Sequence, residues 1–448
     1  MATIEFVDTT LRDGNQSLWD ATGLNTEAIL SVARQMDEVG FKVIDFMAST
    51  HMGVAVRYYK EDPWKRIKLA SQAMPNTPLS FGTTGRRFIG FKRMPDSIMA
   101  LVYQCVVANG IRRVWIVDAA HEMKIIYKNA RMAKGAGIED FMVALSYTVS
   151  PVHTDEYYAA LTREITQCSD VDTVYLKDQG GLLIPERVTT LVPAIHANLN
   201  GRPFEIHSHC TTGLAPQVYR EALRLGVTTV HTAIPPLADG TSQPSVFQVM
   251  KDVQQRGDIP SVKGDVLRHI SEHLHALAEK QQRPLGKPLE YDASYYEHQV
   301  PGGMVTTLRR QLAEAGMRDR LPAVLEEIVR VRRDLGYPIM VTPLSQFVGT
   351  QATMNVVSGE PYKIVPDGII EYVLGYFGNP PAPINPGVLD RISNLPRTKK
   401  IREQGFPQST IADLRREMGL PESTSDEEFL LRYAMTNQEV DAMLATST

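Results

Sequence analysis

Short apolar runs recur through the first half of the chain, and between them apolar residues return every three to four positions. The runs are IEFVDTT (4–10), KVIDFM (42–47), PLSFGTT (78–84), RVWIVDA (113–119), FMVALSYT (141–148), TVYLKD (173–178), FEIHSH (204–209) and TTVHTAI (228–234). Their length, their β-branched and aromatic content and their flanking turn residues predict strands. Segments such as TEAILSVARQMDEVG and RVTTLVPAIHANLNG carry the period of helices lying on a core. Eight β/α units in about 250 residues match a closed (β/α)8 TIM barrel, expected over residues 1–255. An open doubly wound sheet would place a GxGxxG turn after its first strand, whereas here that turn reads TLRDGNQS.

Beyond that point the strand signal fades. VLRHISEHLHALAEKQQ, TTLRRQLAEAG, LPAVLEEIVRVRRDLG and DEEFLLRYAMTNQEVDAML are helical in pattern, punctuated by PGG and by GNPPAPINPG. A second, mostly helical domain packed on the barrel is expected over residues 256–448. A length of 448 residues suits two or three domains, and 43% hydrophobic with 22% charged residues describes a globular chain with a sizeable core. The net charge of −4, with no long basic run, argues against nucleic acid or an anionic membrane as partner. MATIEFVDTTLRDG enters a strand without a signal-type apolar region, and no apolar stretch is long enough to span a bilayer. Cys105, Cys168 and Cys210 lack metal or redox spacing, so a reducing cytoplasm is the expected location.

Candidate chemistry gathers at strand ends, where barrel enzymes carry their sites. His207 and His209 stand two apart in a strand, so both imidazoles point to one face and suit a metal. His273 and His275 have the same spacing in a helical stretch, diverge around it and read as surface. Asp13, after the first strand, is a carboxylate ligand candidate, and Arg12 and Gln16 beside it could hold an anionic or carbonyl oxygen. Lys177 lies near the end of an apolar strand, where burying an ammonium is costly. As a neutral amine it could form a Schiff base or take up carbon dioxide as a carbamate, and otherwise it is one half of a Lys–Asp surface pair. Asp13, carbamylated Lys177, His207 and His209 would make a mixed N/O site for Zn, Mn or Co.

DTTLRDGNQS, SYTVSPVHTDEYY, YLKDQGGLLIP, HSHCTTGLAP and DGTSQPS, in this order, resemble the carboxyltransferase component of biotin-dependent enzymes. That family includes pyruvate carboxylase, the oxaloacetate decarboxylase alpha subunit and the pyruvate-binding transcarboxylase subunit. The likeness continues through EHQVPGGMVTTLRRQ, GYPIMVTPLSQFVG and SDEEFLLRYAM, covering nearly the whole chain. It implies a carbamylated Lys177 at the metal and a helical domain that closes over the barrel mouth. It also implies carboxybiotin brought in by a biotin carboxyl carrier protein, a biotin carboxylase subunit where ATP drives the reaction, and a homodimer. Thr342, in the family's VTP motif, would relay a proton, with Ser345 nearby, while Arg12 and Gln16 would contact acceptor or biotin.

Departures from the family lie in the acceptor pocket. Where pyruvate-using members have LRGxNxxGY, the chain reads TTGRRFIGF, so Thr84 replaces the arginine expected to pair with the pyruvate carboxylate. Arg86 and Arg87 lie beyond Gly85 and are expected to face another direction. Asn15 replaces a histidine, Ala21 to Leu24 replaces ATRM, and Gln346 stands where the family has a lysine. An acceptor other than pyruvate is expected. No AMKM-type biotin motif occurs, so the biotin is expected on a separate chain. Two rival readings remain at this stage: a biotin-independent metal-dependent aldolase or lyase, and an inactive assembly subunit.

Overall fold

The computed structural model describes residues 1–406 and 408–447. Eight parallel strands close on themselves: β1 (Thr3–Asp8), β2 (Val43–Ala48), β3 (Leu79–Thr83), β4 (Arg113–Ile116), β5 (Asp140–Ser146), β6 (Thr173–Asp178), β7 (Phe204–Ser208) and β8 (Thr229–Thr232). β1 pairs with both β2 and β8, which completes the (β/α)8 barrel, and the short β9 (Ile259–Pro260) adds to the outer end of β1. Each strand predicted from apolar runs is present. Several end one to three residues early because the chain turns into the mouth loops.

The helices start where side chains can accept their free N–H groups. Asn25 caps Thr26–Glu38, Asp62 followed by Pro63 caps Pro63–Ala73, and Thr154 caps Asp155–Ile165. Their apolar faces and the outward-facing strand residues form one continuous core running from Ile4 to Ala278. The barrel interior is different. Its N-terminal half holds charges, with Arg113 Nη2 2.7 Å from Glu205 and Lys42 3.4 Å from the same carboxylate. Further up, Trp115, Val117, Met142, Ala144 and Tyr175 make a small apolar layer beneath the mouth.

The helical remainder packs in two places. Residues from Val300 to Ile392 build their own core, which Ala119 joins from the loop after β4. Here Arg332 donates to the Thr148 hydroxyl at 2.8 Å, and Gln299 accepts from it at 2.8 Å, so this layer is tied to the end of β5. Helices Ile411–Glu417, Asp426–Ala434 and Asn437–Ser447 instead return to the barrel core through Leu414, Phe429, Leu430, Leu431 and Val440. The tail pattern DEEFLLRYAMTNQEVDAML reads as one helix but forms two. Thr436 and Glu439 make a capping box, with the Thr436 hydroxyl accepting from Glu439 N at 3.3 Å and Glu439 accepting from Thr436 N at 2.9 Å.

Candidate active site

Strand register delivers the ligand set. Lys177 of β6 stands directly opposite His207 of β7, and the β6–β7 ladder runs one step past β7, with His209 N donating to Asp178 O at 3.1 Å. His209 therefore lies just outside the strand predicted to hold it yet keeps the orientation that the alternation requires. Asp13 arrives on a single wide turn, Thr10–Gly14, anchored by Asp8 accepting from Thr10 N at 3.2 Å. Glycine is needed at the end of that turn, since a Cβ on Gly14 would lie 2.7 Å from the Leu237 carbonyl oxygen.

Among the described residues, Asp13, His207 and His209 form a buried group whose ligand atoms lie within 4.8 Å of one another. Asp13 Oδ2 is 3.1 Å from His207 Nε2 and 3.3 Å from His209 Nε2. The tautomers follow from the other ring nitrogens. His209 Nδ1 donates to the Thr241 carbonyl at 2.7 Å, which leaves its Nε2 bare. His231 Nε2 donates to Glu205 at 2.8 Å, so its Nδ1 accepts from His207 Nδ1 at 3.1 Å, and His207 Nε2 is bare as well. Burial and the neighbouring Lys177 hold the His207 pKa well below the usual imidazole range, in keeping with a neutral ring. Burial pushes Asp13 up, but the Arg12 guanidinium beside it outweighs that and holds the carboxyl well below its ordinary value. Three lone-pair donors thus face one another, and this donor set fits a divalent cation.

Lys177 Nζ completes the group, 3.3 Å from His207 Nε2 and 3.9 Å from Asp13 Oδ2. Its surroundings include the Trp115 and Tyr175 rings, and burial lowers its pKa to about 8 against the opposing pull of Asp13. An amine with that pKa is partly neutral near physiological pH, the state in which it can take up carbon dioxide. The residues therefore fit a metal held by Asp13, His207, His209 and an anionic form of Lys177.

Several residues around this group were not singled out from the sequence. Gln243, inside the quoted DGTSQPS motif, points its Nε2 at Asp13 (3.2 Å), His209 (3.0 Å) and His207 (3.3 Å). Asp45 of β2 takes both arms of Arg12, from Nε at 2.8 Å and from Nη2, and also accepts from Trp115 Nε1 at 2.9 Å. Arg12 is further held 3.0 Å from Asp13 and over the Trp115 ring, so its guanidinium is engaged by Asp13 and Asp45 in this structure. Asp45, Glu205 and His231 share one sequence signal, a polar residue inside an otherwise apolar strand, the same signal that drew attention to Lys177.

The acceptor-side candidates lie on the loop after β3 and on the helical layer. Thr84, Arg86, Arg87, Val117, Asp118 and Thr342 are among the residues that line one narrow slot. Thr342 Oγ1 accepts from Gln346 Nε2 at 3.2 Å, and Ser345 is buried with its hydroxyl on Gln346 Oε1 at 3.0 Å. Gln16 is exposed at the mouth. Arg86 and Arg87, expected to face another direction, both line the slot: Arg86 is paired with Asp118 and Glu122, and Arg87 folds back over Phe91 where the positive φ of Gly85 and Gly90 doubles the loop on itself.

The chain has counterparts among known proteins. Residues 295–447 match the family described as the conserved carboxylase domain. A pyruvate carboxylase subunit of Methanocaldococcus jannaschii is 38% identical over 391 residues, spanning 87% of this chain and 68% of that protein. The 2-oxoglutarate carboxylase large subunit of Hydrogenobacter thermophilus is 31% identical over 390 residues, 87% of this chain and 59% of that one. The methylmalonyl-CoA carboxyltransferase 5S subunit of Propionibacterium freudenreichii is 30% identical over 387 residues, 85% and 74% of the two chains. In fold, the carboxyl transferase domain from Rhizobium etli pyruvate carboxylase with pyruvate and biocytin superposes with a TM-score of 0.88. It covers 100% of this chain and 78% of that one at 23% identity. With the ordered motifs, the barrel and relatives of this similarity over most of its length, the chain belongs to the carboxyltransferase family of biotin-dependent enzymes.

Proposed function

We propose that this chain moves a carboxyl group between biotin on a separate carrier chain and a carbonyl acceptor that resembles a 2-oxo acid other than pyruvate. The observation that carries this reading is the convergence of Asp13, Lys177, His207 and His209 at the mouth, combined with a neutral Thr84 on the acceptor side. A divalent cation held there (Zn, Mn or Co) would polarise the acceptor's carbonyl oxygen as a Lewis acid. Arg12, clamped by Asp45, keeps Asp13 ionised and oriented. Thr342 handles the proton. Gln346 donates into its Oγ1, which leaves the Thr342 O–H free to pass a proton between the acceptor carbon and the biotin ring nitrogen. The layer from Val300 to Ile392 acts as the cover that excludes water from the slot.

A biotin carboxyl carrier protein supplies the carboxybiotin, with a biotin carboxylase subunit reloading it, and a homodimer is the working assembly. Biotin-independent aldol chemistry is less favoured, since Lys177 lies in the ligand group and an aldolase Schiff base would need its amine free for the acceptor. At Thr84, one hydroxyl replaces a bidentate guanidinium contact worth about 1.5–3 kcal/mol to a carboxylate. The test is transfer from a carboxybiotinylated carrier domain to a panel of 2-oxo acids. Lys177→Met should abolish transfer, and Thr84→Arg should raise the rate with pyruvate. Undiminished transfer in Lys177→Met, or pyruvate used equally well by wild type and Thr84→Arg, overturns the reading.

A further inference from the structure

Ser146, the last residue of β5, is wholly buried, yet its hydroxyl has no hydrogen-bond partner among the described residues. The strand fixes its direction. Met142 and Ala144 belong to the apolar layer inside the barrel, whereas Phe141, Val143, Leu145 and Tyr147 belong to the outer core. Alternation therefore turns Ser146 inward, one step above Ala144 toward the mouth. Its backbone is pinned on both sides. The N–H donates to His121 Nε2 at 3.0 Å, and the carbonyl accepts from Tyr158 Oη at 3.2 Å. A buried hydroxyl without a partner is costly, and its retention in a native fold calls for a reason.

The next strand supplies one. In the β5–β6 ladder Ser146 stands directly opposite Lys177, and Tyr147 N donates to Lys177 O at 2.8 Å just beyond. In-register residues of a parallel pair point to the same face, with backbones about 4.8 Å apart. The hydroxyl therefore flanks Lys177 on the side away from β7, where Lys177 Nζ meets His207 at 3.3 Å. As an amine, Lys177 makes no hydrogen bond with that hydroxyl. Uptake of carbon dioxide changes what the lysine offers. The amine nitrogen bonds to the carbon, one C=O electron pair moves onto oxygen, and an N–H proton leaves to water. The product is an anion with two oxygens. One serves the group of Asp13, His207 and His209, and the other needs a donor of its own in a buried place.

We infer that Ser146 is a positioning residue for Lys177, its hydroxyl donating to the second oxygen of the carbamate and so holding the first toward the metal ligands. This rests on the reading that Lys177 takes up carbon dioxide. The test is ¹³C NMR of the zinc-loaded protein titrated with ¹³C-labelled bicarbonate at one fixed pH. Wild type is compared with Ser146→Ala, and Lys177→Met assigns the carbamate resonance. Ser146→Ala should need roughly tenfold or more carbon dioxide for half occupancy, the size of one charge-assisted hydrogen bond. Thermal unfolding adds a readout that a packing role would not give. In buffer free of carbon dioxide, Ser146→Ala has lost an unpartnered hydroxyl and should melt no lower than wild type, while bicarbonate should raise the wild-type midpoint more than that of the variant. Equal carbon dioxide dependence in the two proteins overturns the inference and leaves the carbamate in place, and a lower midpoint for Ser146→Ala without carbon dioxide assigns the residue to structure. No Lys177 resonance in wild type overturns both the inference and the reading beneath it. A carbamate that depends on Ser146, in a protein that transfers no carboxyl group from carboxybiotin, keeps the inference and removes the functional reading.

Discussion

Replacing His231 with phenylalanine should weaken metal binding without unfolding the barrel. His231 stacks on Tyr175 with ring centres 5.6 Å apart and planes 11° from parallel, a contact that phenylalanine keeps. Both nitrogens are lost. Glu205 retains Arg113 at 2.7 Å and Lys42 at 3.4 Å, so its charge stays compensated. His207 loses the acceptor for its Nδ1–H, which weakens the preference for the tautomer that leaves Nε2 bare. A buried N–H without a partner costs about 1–3 kcal/mol, and lost outer partners of metal-bound histidines typically weaken affinity 10–100-fold. Chelator competition should therefore give a Kd raised by about 10–100-fold, equivalent to about 1.4–2.7 kcal/mol. His231→Gln, whose amide can accept from His207 and donate to Glu205, should recover most of the affinity although it lacks the ring. The melting temperature of the metal-free proteins separates folding from binding. Unchanged affinity in His231→Phe, or a glutamine variant no better than phenylalanine, would refute the tautomer argument.

His207→Ala should lose bound metal, measured by elemental analysis, and intact mass should show one carbon dioxide added to wild type and absent from Lys177→Met. Thr342→Ala should slow carboxyl transfer by roughly 10²–10⁴-fold, the range of a lost acid–base group, with metal content unchanged. Glu439 anchors the last helix to the barrel. Burial raises its pKa, but hydrogen bonds from Thr436 and Arg57 outweigh that and lower it to about 2. A carboxyl depressed in the folded state stabilises above its unfolded value, near 4.5, and loses that contribution as pH falls toward 2. Glu439→Gln should remove this dependence, so hydrogen exchange of Asn437–Ser447 should differ between wild type and variant at neutral pH and converge near pH 2.

The sequence by itself determined the barrel, because strand and helix periods are local and repeat clearly in each of the eight runs. It also determined the metal-binding candidates. Two histidines on one strand face, a lysine in an apolar strand and an aspartate after the first strand are each visible without knowing their neighbours. Partnership is not local, and only the tertiary structure decided it. Arg12 is turned toward Asp45, 33 residues away, and Gln243 reaches Asp13 across 230 residues of chain. The His207 tautomer depends on His231 and Glu205, whose roles no spacing rule announces. The doubled loop gave Arg86 and Arg87 different partners in one slot, the first paired with acids and the second donating to the Gly90 carbonyl, although the two are identical and adjacent in sequence. The tail's return to the barrel was likewise hidden, since an amphipathic helix specifies an apolar face but not the surface that covers it.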